Sequence, residues 1–335
     1  MRRLIISFLL LLVAARPLGA LTENRLPDST SRKIPAFLKT GQRFQFLSAD
    51  GKTHLEGIRF AHPDSKGTVV VVNGSTESWL KYGELFLDLH RHGYSVVSYD
   101  HRGQGLSPRL THSNPQVAHI DDFRLYADDL NALVRDVIVP GNHGKLYLLA
   151  HSMGGAVALD YLERFPSPFT AVALSAPLLR INTAPYPEPV ARLLITALNK
   201  AGMGDHYAPG KHDHDPEESF EGNLLTSSRA RWDAMQLVWQ NHPQAITGGP
   251  SIRWVMQAME RTVRIRHNLH KIQDRILILQ AGKDRFVMCP DQLMAVKSIS
   301  GAEVIGLPEA RHEILMERDP IRGKALAAIL KFFGN

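Results

Sequence analysis

Residues 146–160 constrain the fold of this 335-residue chain more than any other stretch. They read LYLLAHSMGGAVALD, an apolar run that stops at Ser152 and passes through two glycines into a second apolar segment. The first run predicts a buried strand, and the apolar residues after Gly155 recur at helical spacing. The segment therefore predicts a strand, a sharp turn with a serine at its tip, and a helix.

The serine at the tip has two interpretations. In the first it is the nucleophile of an elbow turn, the motif of α/β hydrolases, which needs small residues two positions before and after the serine. Ala150 and Gly154 hold those positions; the usual motif has glycine in the first, and alanine adds only one methyl group. In the second, Ser152 is an ordinary N-cap of the helix. The strand before it and the helix after it favour the nucleophile.

Strands and helices alternate along most of the chain. Residues 44–47 and 54–60 predict a hairpin around Asp50-Gly51. Further strands are predicted over 67–73, 94–99, 146–151, 171–176, 276–280 and 304–307. Helical periodicity predicts helices over 80–92, 123–137 and 321–333, besides the helix after Ser152. This alternation predicts an α/β protein with a mostly parallel eight-stranded sheet and helices on both faces.

The alternation stops at Pro177 and resumes at Arg275. We interpret residues 36–180 and 271–335 as two parts of one core, and residues 181–270 as an inserted helical cap. In an open α/β sheet, an insertion after the carboxyl end of a strand lies over the active-site face.

A serine nucleophile needs a histidine base and an acid to orient that base, and in this motif they follow in the order serine, acid, histidine. Asp284 lies just after the strand 276–280, and His312 lies just after the strand 304–307. We predict that they form the triad with Ser152. Asp100 and Asp319 compete as the acid. We expect His151 to point away from the site, because side chains alternate along a strand.

The oxyanion of the tetrahedral intermediate needs two backbone N–H donors. One is expected from Met153, the residue after the nucleophile, and the other from the loop that follows the strand 67–73. Ser75 is our candidate there, because Gly74 lets the backbone approach a ligand. An ordinary strand-to-helix turn is the alternative.

Three further groups of residues in the cap have two interpretations each, one functional and one structural. His212 to Asp215 have the residue types of metal ligands, but their spacing favours a solvated loop and we predict no metal site. Arg261, Arg264 and Arg266 could meet a phosphate head group or form a solvated face. Five apolar residues could line an acyl channel or pack on the core: Met235, Trp239, Trp254, Met256 and Met259.

The first twenty residues differ from the rest. Arg2 and Arg3 precede an apolar run of about a dozen residues, shorter than a membrane span needs. A basic start, a short apolar run and a small-residue end predict a signal peptide or an uncleaved anchor over 1–20. An exported protein, periplasmic or secreted, is the expectation. The net charge of +6 includes three arginines of this segment, so the remainder is only mildly basic; this favours an anionic membrane surface over nucleic acid.

The chain resembles the serine-hydrolase family of bacterial lysophospholipases and monoacylglycerol lipases over about residues 40–333. The resemblance is carried by the stretches NGSTESWLKYGELFLDLHRHGYSVVSYDHRGQGLSPR, LLAHSMGGAVALDYLERFP, GGPSIRWVMQAME and EARHEILMERD. It implies the α/β-hydrolase fold with a helical cap and hydrolysis of a lipid-like ester without metal or cofactor. We infer no obligate protein partner.

Within that family, the bacterial lysophospholipase branch is the nearer match. Monoacylglycerol lipases have His-Gly at the start of the oxyanion loop, whereas this chain has Asn73-Gly74. Release of a fatty acid from a lysophospholipid is therefore the expected reaction. A monoacylglycerol lipase, a general carboxylesterase or thioesterase, and a catalytically silent binding scaffold are the alternatives.

Overall fold

A computed structural model describes residues 20–111, 114–141 and 144–334 of the chain. Apart from Ala20, the predicted signal peptide or anchor lies outside these residues. Among the residues that are described, no helix is both long enough and apolar enough to cross a membrane.

One eight-stranded sheet organises the molecule. Its strands, in chain order, are β1 (Gln42–Leu47), β2 (His54–Phe60), β3 (Thr68–Val72), β4 (Ser95–Tyr99), β5 (Leu146–His151), β6 (Phe169–Ser175), β7 (Ile276–Ala281) and β8 (Ala302–Leu307). Their spatial order is β1-β2-β4-β3-β5-β6-β7-β8. Strand β2 runs antiparallel to β1 and to β4, and the other neighbouring pairs are parallel. The predicted α/β architecture, with a mostly parallel eight-stranded sheet, is confirmed.

The helices complete the layers. In chain order they are α1 (Leu26–Asp28), α2 (Ile34–Leu38), α3 (Gly83–Arg91), α4 (Arg124–Leu133), α5 (Met153–Arg164), α6 (Glu188–Leu198), α7 (Arg229–Asn241), α8 (Ile252–Asn268), α9 (Cys289–Ser298) and α10 (Asp319–Gly334).

Alternate residues of the central strands face two separate apolar clusters. In β3, Val70 and Val72 face the cluster that contains residues of α4, α5 and α8. Val69 and Val71 face the cluster formed with α3 and α10. Both faces are therefore covered, which explains why the central strands read as continuous apolar runs. Burial of each such side chain contributes about 1.5–3 kcal/mol to folding.

The segment between β6 and β7 contains α6, α7 and α8, as the predicted cap requires. The last of these helices, α8, also contributes Trp254, Ala258 and Ile265 to the core cluster on the α5 face. The limits of the cap at residues 181 and 270 remain a prediction.

The segment that precedes the sheet makes hydrogen bonds to residues that are distant in the chain. The backbone N–H of Glu23 donates to Asp319 Oδ1 over 3.1 Å, and the N–H of Asp319 donates to Glu23 Oε2 over 3.1 Å. The N–H of Leu21 donates to the buried carboxylate of Asp88, also over 3.1 Å. Arg231 is fully buried between Glu84 and Asp319. These contacts join the N-terminal segment to α3, α7 and α10.

The start of α5 crosses the end of β3 without room for a side chain at Gly154. A Cβ atom there would lie 2.5 Å from the carbonyl oxygens of Val72 and Asn73. We expect Gly154→Ala to lower the free energy of unfolding by about 1–3 kcal/mol, because rigid backbone atoms must move. Urea unfolding followed by circular dichroism measures it.

Gly306→Ala in β8 is the matched control, because no atom lies within 4 Å of the Cβ it would add. It should change the free energy of unfolding by less than about 0.5 kcal/mol. Equal stability of the two variants would contradict the close approach of α5 to β3.

Candidate active site

Ser152 lies at the tip of the turn between β5 and α5 in a strained backbone conformation. Its φ is 51° and its ψ is −115°, a region that residues with a Cβ rarely occupy. The turn is held by the Ser152 N–H, which donates to Ser175 O over 3.0 Å, and by the Leu178 N–H, which donates to Ser152 O over 2.9 Å. The Ser152 side chain makes no capping hydrogen bond to α5, so the N-cap interpretation does not describe this serine.

The hydroxyl of Ser152 contacts His312 instead. The distance from Ser152 Oγ to His312 Nε2 is 2.8 Å, and His312 Nδ1 lies 2.7 Å from Asp284 Oδ2. Because the carboxylate can only accept, Nδ1 carries a proton and Nε2 is free to accept the serine hydroxyl. The structure thus brings together the three residues predicted from the strand ends.

Asp284 is held as an anion. Burial by itself would raise the pKa of its carboxyl group, but hydrogen bonds from His312 and from the backbone N–H groups of Phe286 and Val287 more than offset this and lower the pKa below its ordinary value. An ionised carboxylate at this position fixes the imidazole tautomer and stabilises the imidazolium that forms when the serine proton is taken.

The competing acids lie elsewhere. Asp100 is fully buried and its carboxylate accepts from Ser78 Oγ at 2.7 Å and from the Trp79 N–H at 2.6 Å. It therefore fixes the loop after β3 rather than the histidine. Asp319 pairs with Arg231 at the start of α10.

The proposed oxyanion donors line the same cavity as the serine. Neither the Ser75 N–H nor the Met153 N–H donates to any other group within the described parts of the chain. The N–H groups on both sides of Ser75 are engaged: Gly74 donates to Glu77 Oε2 over 2.6 Å and Thr76 to Gln104 Oε1 over 3.1 Å. This arrangement leaves the Ser75 N–H available to a ligand.

The serine and the histidine open onto a cavity of about 580 Å³. Met235, Trp239 and Trp254 line it and are buried, as an acyl channel requires, and all three also belong to the apolar core clusters. Met256 and Met259 do not line it. Both interpretations of these residues are therefore partly right.

The other candidate residues of the cap, the 212–215 loop and the arginines, have structural roles. The loop with His212 and Asp213 lines the cavity and is exposed to solvent, and Asp213 accepts from Asn114 Nδ2 over 2.7 Å. Arg261 pairs with Asp160, and Arg266 lies 3.5 Å from Asp291. Two of the three arginines are thus engaged inside the protein rather than free for a phosphate group.

Sequence reasoning missed a buried ionic cluster beside the triad. It consists of Glu77, Lys81, His151 and Glu313, and all four line the cavity. The expectation that His151 points away from the site is wrong, since its ring centroid lies 4.9 Å from that of His312. On that side the His151 ring also lies close to the carboxylates of Glu77 and Glu313. A signal was present in the i,i+4 spacing of Glu77 and Lys81 and in the adjacency of Glu313 to His312.

The chain is similar to known proteins over most of its length. The model of the family described as "Serine aminopeptidase, S33" (Hydrolase_4) matches residues 63–319. A "Probable lysophospholipase L2" of Haemophilus influenzae is 33% identical over 293 residues, 86% of this chain and 91% of the relative. The "Lysophospholipase L2" of Escherichia coli K12 is 32% identical over 321 residues, 93% of each chain.

A solved structure shares the fold. The monoacylglycerol lipase of Paleococcus ferrophilus superposes with a TM-score of 0.63 and 21% identity over 83% of this chain and 98% of that one. With the elbow serine and the hydrogen-bonded histidine and aspartate already located, these matches show that the chain is an α/β-hydrolase-fold serine hydrolase and belongs to the serine aminopeptidase S33 family.

Proposed function

We propose that the protein hydrolyses a carboxylic ester through an acyl-enzyme formed on Ser152. His312 Nε2 takes the hydroxyl proton while Ser152 Oγ attacks the acyl carbon. The N–H groups of Met153 and Ser75 bind the oxyanion, and each such donor is worth about 3–4 kcal/mol of the barrier. The uninterrupted hydrogen bonds from Ser152 to His312 to Asp284 carry this proposal.

Departure of the alcohol completes the first half of the reaction: His312 gives its proton to the leaving alcohol oxygen, and the acyl group remains on Ser152. In the second half, water takes the place of the serine as the nucleophile. A water molecule then attacks the acyl carbon as His312 takes one of its protons. Collapse of this intermediate releases the fatty acid and returns the proton to Ser152 Oγ.

We propose a lysophospholipid as the substrate. The cavity volume falls within the range of about 300–1,000 Å³ that small-molecule sites occupy. Its buried apolar residues suit an acyl chain, and the exposed polar loop of residues 210–215 suits a hydrophilic head group. Two relatives that are named lysophospholipase L2 support this substrate, as does Asn73 in place of the histidine of monoacylglycerol lipases. Monoglyceride hydrolysis is the second candidate.

Ser152→Ala and His312→Ala should each lower kcat at least about a thousandfold, because the catalytic triad loses its nucleophile or its base. Turnover of lysophosphatidylcholine, lysophosphatidylethanolamine, monoolein and short nitrophenyl esters is measured side by side. Faster turnover of the lysophospholipids is expected. Circular dichroism checks that the variants fold.

Glu309→Gln is the control, since Glu309 lies three residues before His312 and pairs with Lys283 at the surface. It should keep wild-type kcat. Undiminished hydrolysis by Ser152→Ala would contradict the mechanism. A preference for monoolein or for short esters would contradict the substrate but leave the mechanism intact.

We further propose that helix α6 contacts the membrane surface. Val190 and Leu193, three residues apart on α6, are 54% and 72% exposed, and Leu194 lies beside them. Tyr186, just before the helix, is 66% exposed. An apolar helix face of this kind is costly in water and gains free energy at a lipid interface.

Leu193→Asp should weaken binding to vesicles of phosphatidylethanolamine and phosphatidylglycerol, because a charge would enter the interface. Vesicle co-sedimentation measures binding, and a loss of at least about fivefold in partition is expected, or about 1 kcal/mol. Leu293→Asp on α9, 44% exposed in the native protein, is the matched control. Equal partition of both variants and the wild type would contradict contact through α6.

We propose that the protein is exported and that residues 1–20 are its signal peptide or anchor. The two arginines, the short apolar run and the small residues up to Ala20 support this. Fractionation of cells that express the full chain, with N-terminal sequencing of the product, is the test. Export with loss of the leader, or retention in the membrane with Met1, agrees with the proposal; a cytosolic protein that begins at Met1 contradicts it.

A further inference from the structure

Four charged or titratable side chains are buried together between the oxyanion loop and the triad. The side chain of Lys81 is only 3% exposed, and those of Glu77, Glu313 and His151 are buried to a similar degree. Lys81 Nζ donates to Glu77 Oε1 and, over 2.6 Å, to Glu313 Oε1. Such a group of charges is costly to remove from water unless its members pair with each other.

The pairing keeps the lysine charged. Burial by itself would lower the pKa of Lys81, but the carboxylates of Glu313 and Glu77 more than offset this and raise the pKa above its ordinary value. The possible metal-ligand atoms of Glu77, His151 and Glu313, two carboxylate oxygens and a ring nitrogen, lie within 4.8 Å of one another, a spacing that could hold a metal ion. The ammonium group of Lys81 already bonds two of these three residues, Glu77 and Glu313.

One arm of the cluster reaches the oxyanion loop. Glu77 Oε2 accepts from the Gly74 N–H over 2.6 Å and from Tyr82 Oη over 2.6 Å. A Cβ at Gly74 would lie 3.0 Å from Glu77 Oε2 and 3.2 Å from the His151 ring, so the loop rests directly on the cluster. This hydrogen bond fixes the peptide group between Asn73 and Gly74, at the start of the oxyanion loop. The next peptide group, which carries the Ser75 N–H, is held through Gly74 O, which accepts from Gln104 Nε2 over 2.7 Å.

The other arm reaches the histidine and the serine. Glu313 follows His312 in the chain, and Glu313 Oε1 lies 3.3 Å from His151 Nε2. His151 Nδ1 lies 3.1 Å from the carbonyl oxygen of Ser175. Both ring nitrogens therefore face acceptors, an arrangement that favours the imidazolium. Burial by itself would lower the pKa of His151, but the Glu313 carboxylate more than offsets this and raises the pKa above its ordinary value. His151 precedes Ser152 in the chain, and its ring packs against that of His312. This arm of the cluster therefore influences the positions of both Ser152 and His312.

We propose that Lys81 is a positioning residue for the ester hydrolysis proposed above. Its ammonium group holds Glu77 against the oxyanion loop and Glu313 beside the catalytic histidine at the same time. Lys81 acts through these two carboxylates and takes no part in proton transfer. Its removal should reduce the stabilisation of the transition state and leave binding of the substrate unchanged.

The experiment compares kcat and KM of Lys81→Met with those of the wild type on nitrophenyl butyrate. A decrease of at least about tenfold in kcat with KM within threefold is expected. The rate of inactivation by a fluorophosphonate, which also needs the serine, the histidine and the oxyanion hole, should decrease in parallel. EDTA is present, because Glu77, His151 and Glu313 without the ammonium could bind a divalent cation.

A double-mutant cycle tests the route through Glu313. Glu313→Gln should lower kcat, and Lys81→Met/Glu313→Gln should lose little more than Lys81→Met alone, since both changes break one linkage. The double variant removes one charge of each sign, so it also serves if Lys81→Met does not fold. Additive losses would overturn the linkage.

Arg261→Met is the matched control, because it breaks another partly buried ion pair, with Asp160, away from the cavity. It should lower the urea midpoint and leave kcat unchanged. Equal loss of kcat in Arg261→Met and Lys81→Met, wild-type kcat in a folded Lys81→Met, or a change in KM alone would each overturn the proposal. Ser152→Ala is assayed alongside: if it stays active the proposed mechanism fails, whereas if it is inactive and Lys81→Met is not, only the role of Lys81 fails.

Discussion

The backbone of Ser152 adopts a conformation that costs of order 1–3 kcal/mol, and the surrounding elements are arranged to maintain it. Strand β5 is buried on both faces and cannot shift, and α5 approaches β3 so closely that only glycine fits at position 154. The turn between them is consequently sharp enough to raise the hydroxyl above the sheet edge. Where that hydroxyl lies determines where the histidine, the acid and the oxyanion donors must be.

Parallel strands deliver those partners to one edge. The loops after β3, β7 and β8 carry Ser75, Asp284 and His312, and all emerge at the carboxyl ends of their strands. The core supplies the rigidity and the loops supply the chemistry. A buried ionic cluster then joins two of these loops to the residue before the nucleophile, so that the positions of the parts depend on each other.

Much of this could be predicted from the sequence, because it depends on local patterns. A hairpin pattern and several apolar runs identified all eight strands, and the position of Asp284 and His312 just beyond two of them identified the partners of Ser152. The cluster around Lys81 was not predicted, because the i,i+4 spacing of Glu77 and Lys81 is ordinarily a surface feature and its burial here depends on distant loops. The path of the loop after β8 also decides from which side His312 approaches Ser152. The prediction that His151 points away from the site was therefore wrong.

The contact between Glu23 and Asp319 has a consequence for biogenesis. The two residues are 296 positions apart, so the N-terminal segment cannot dock until the ribosome has made almost the whole chain. In the folded protein the Leu21 amide is engaged by Asp88 and its side chain is buried. If the proposed signal peptide is cleaved after Ala20, cleavage must therefore precede the docking of this segment.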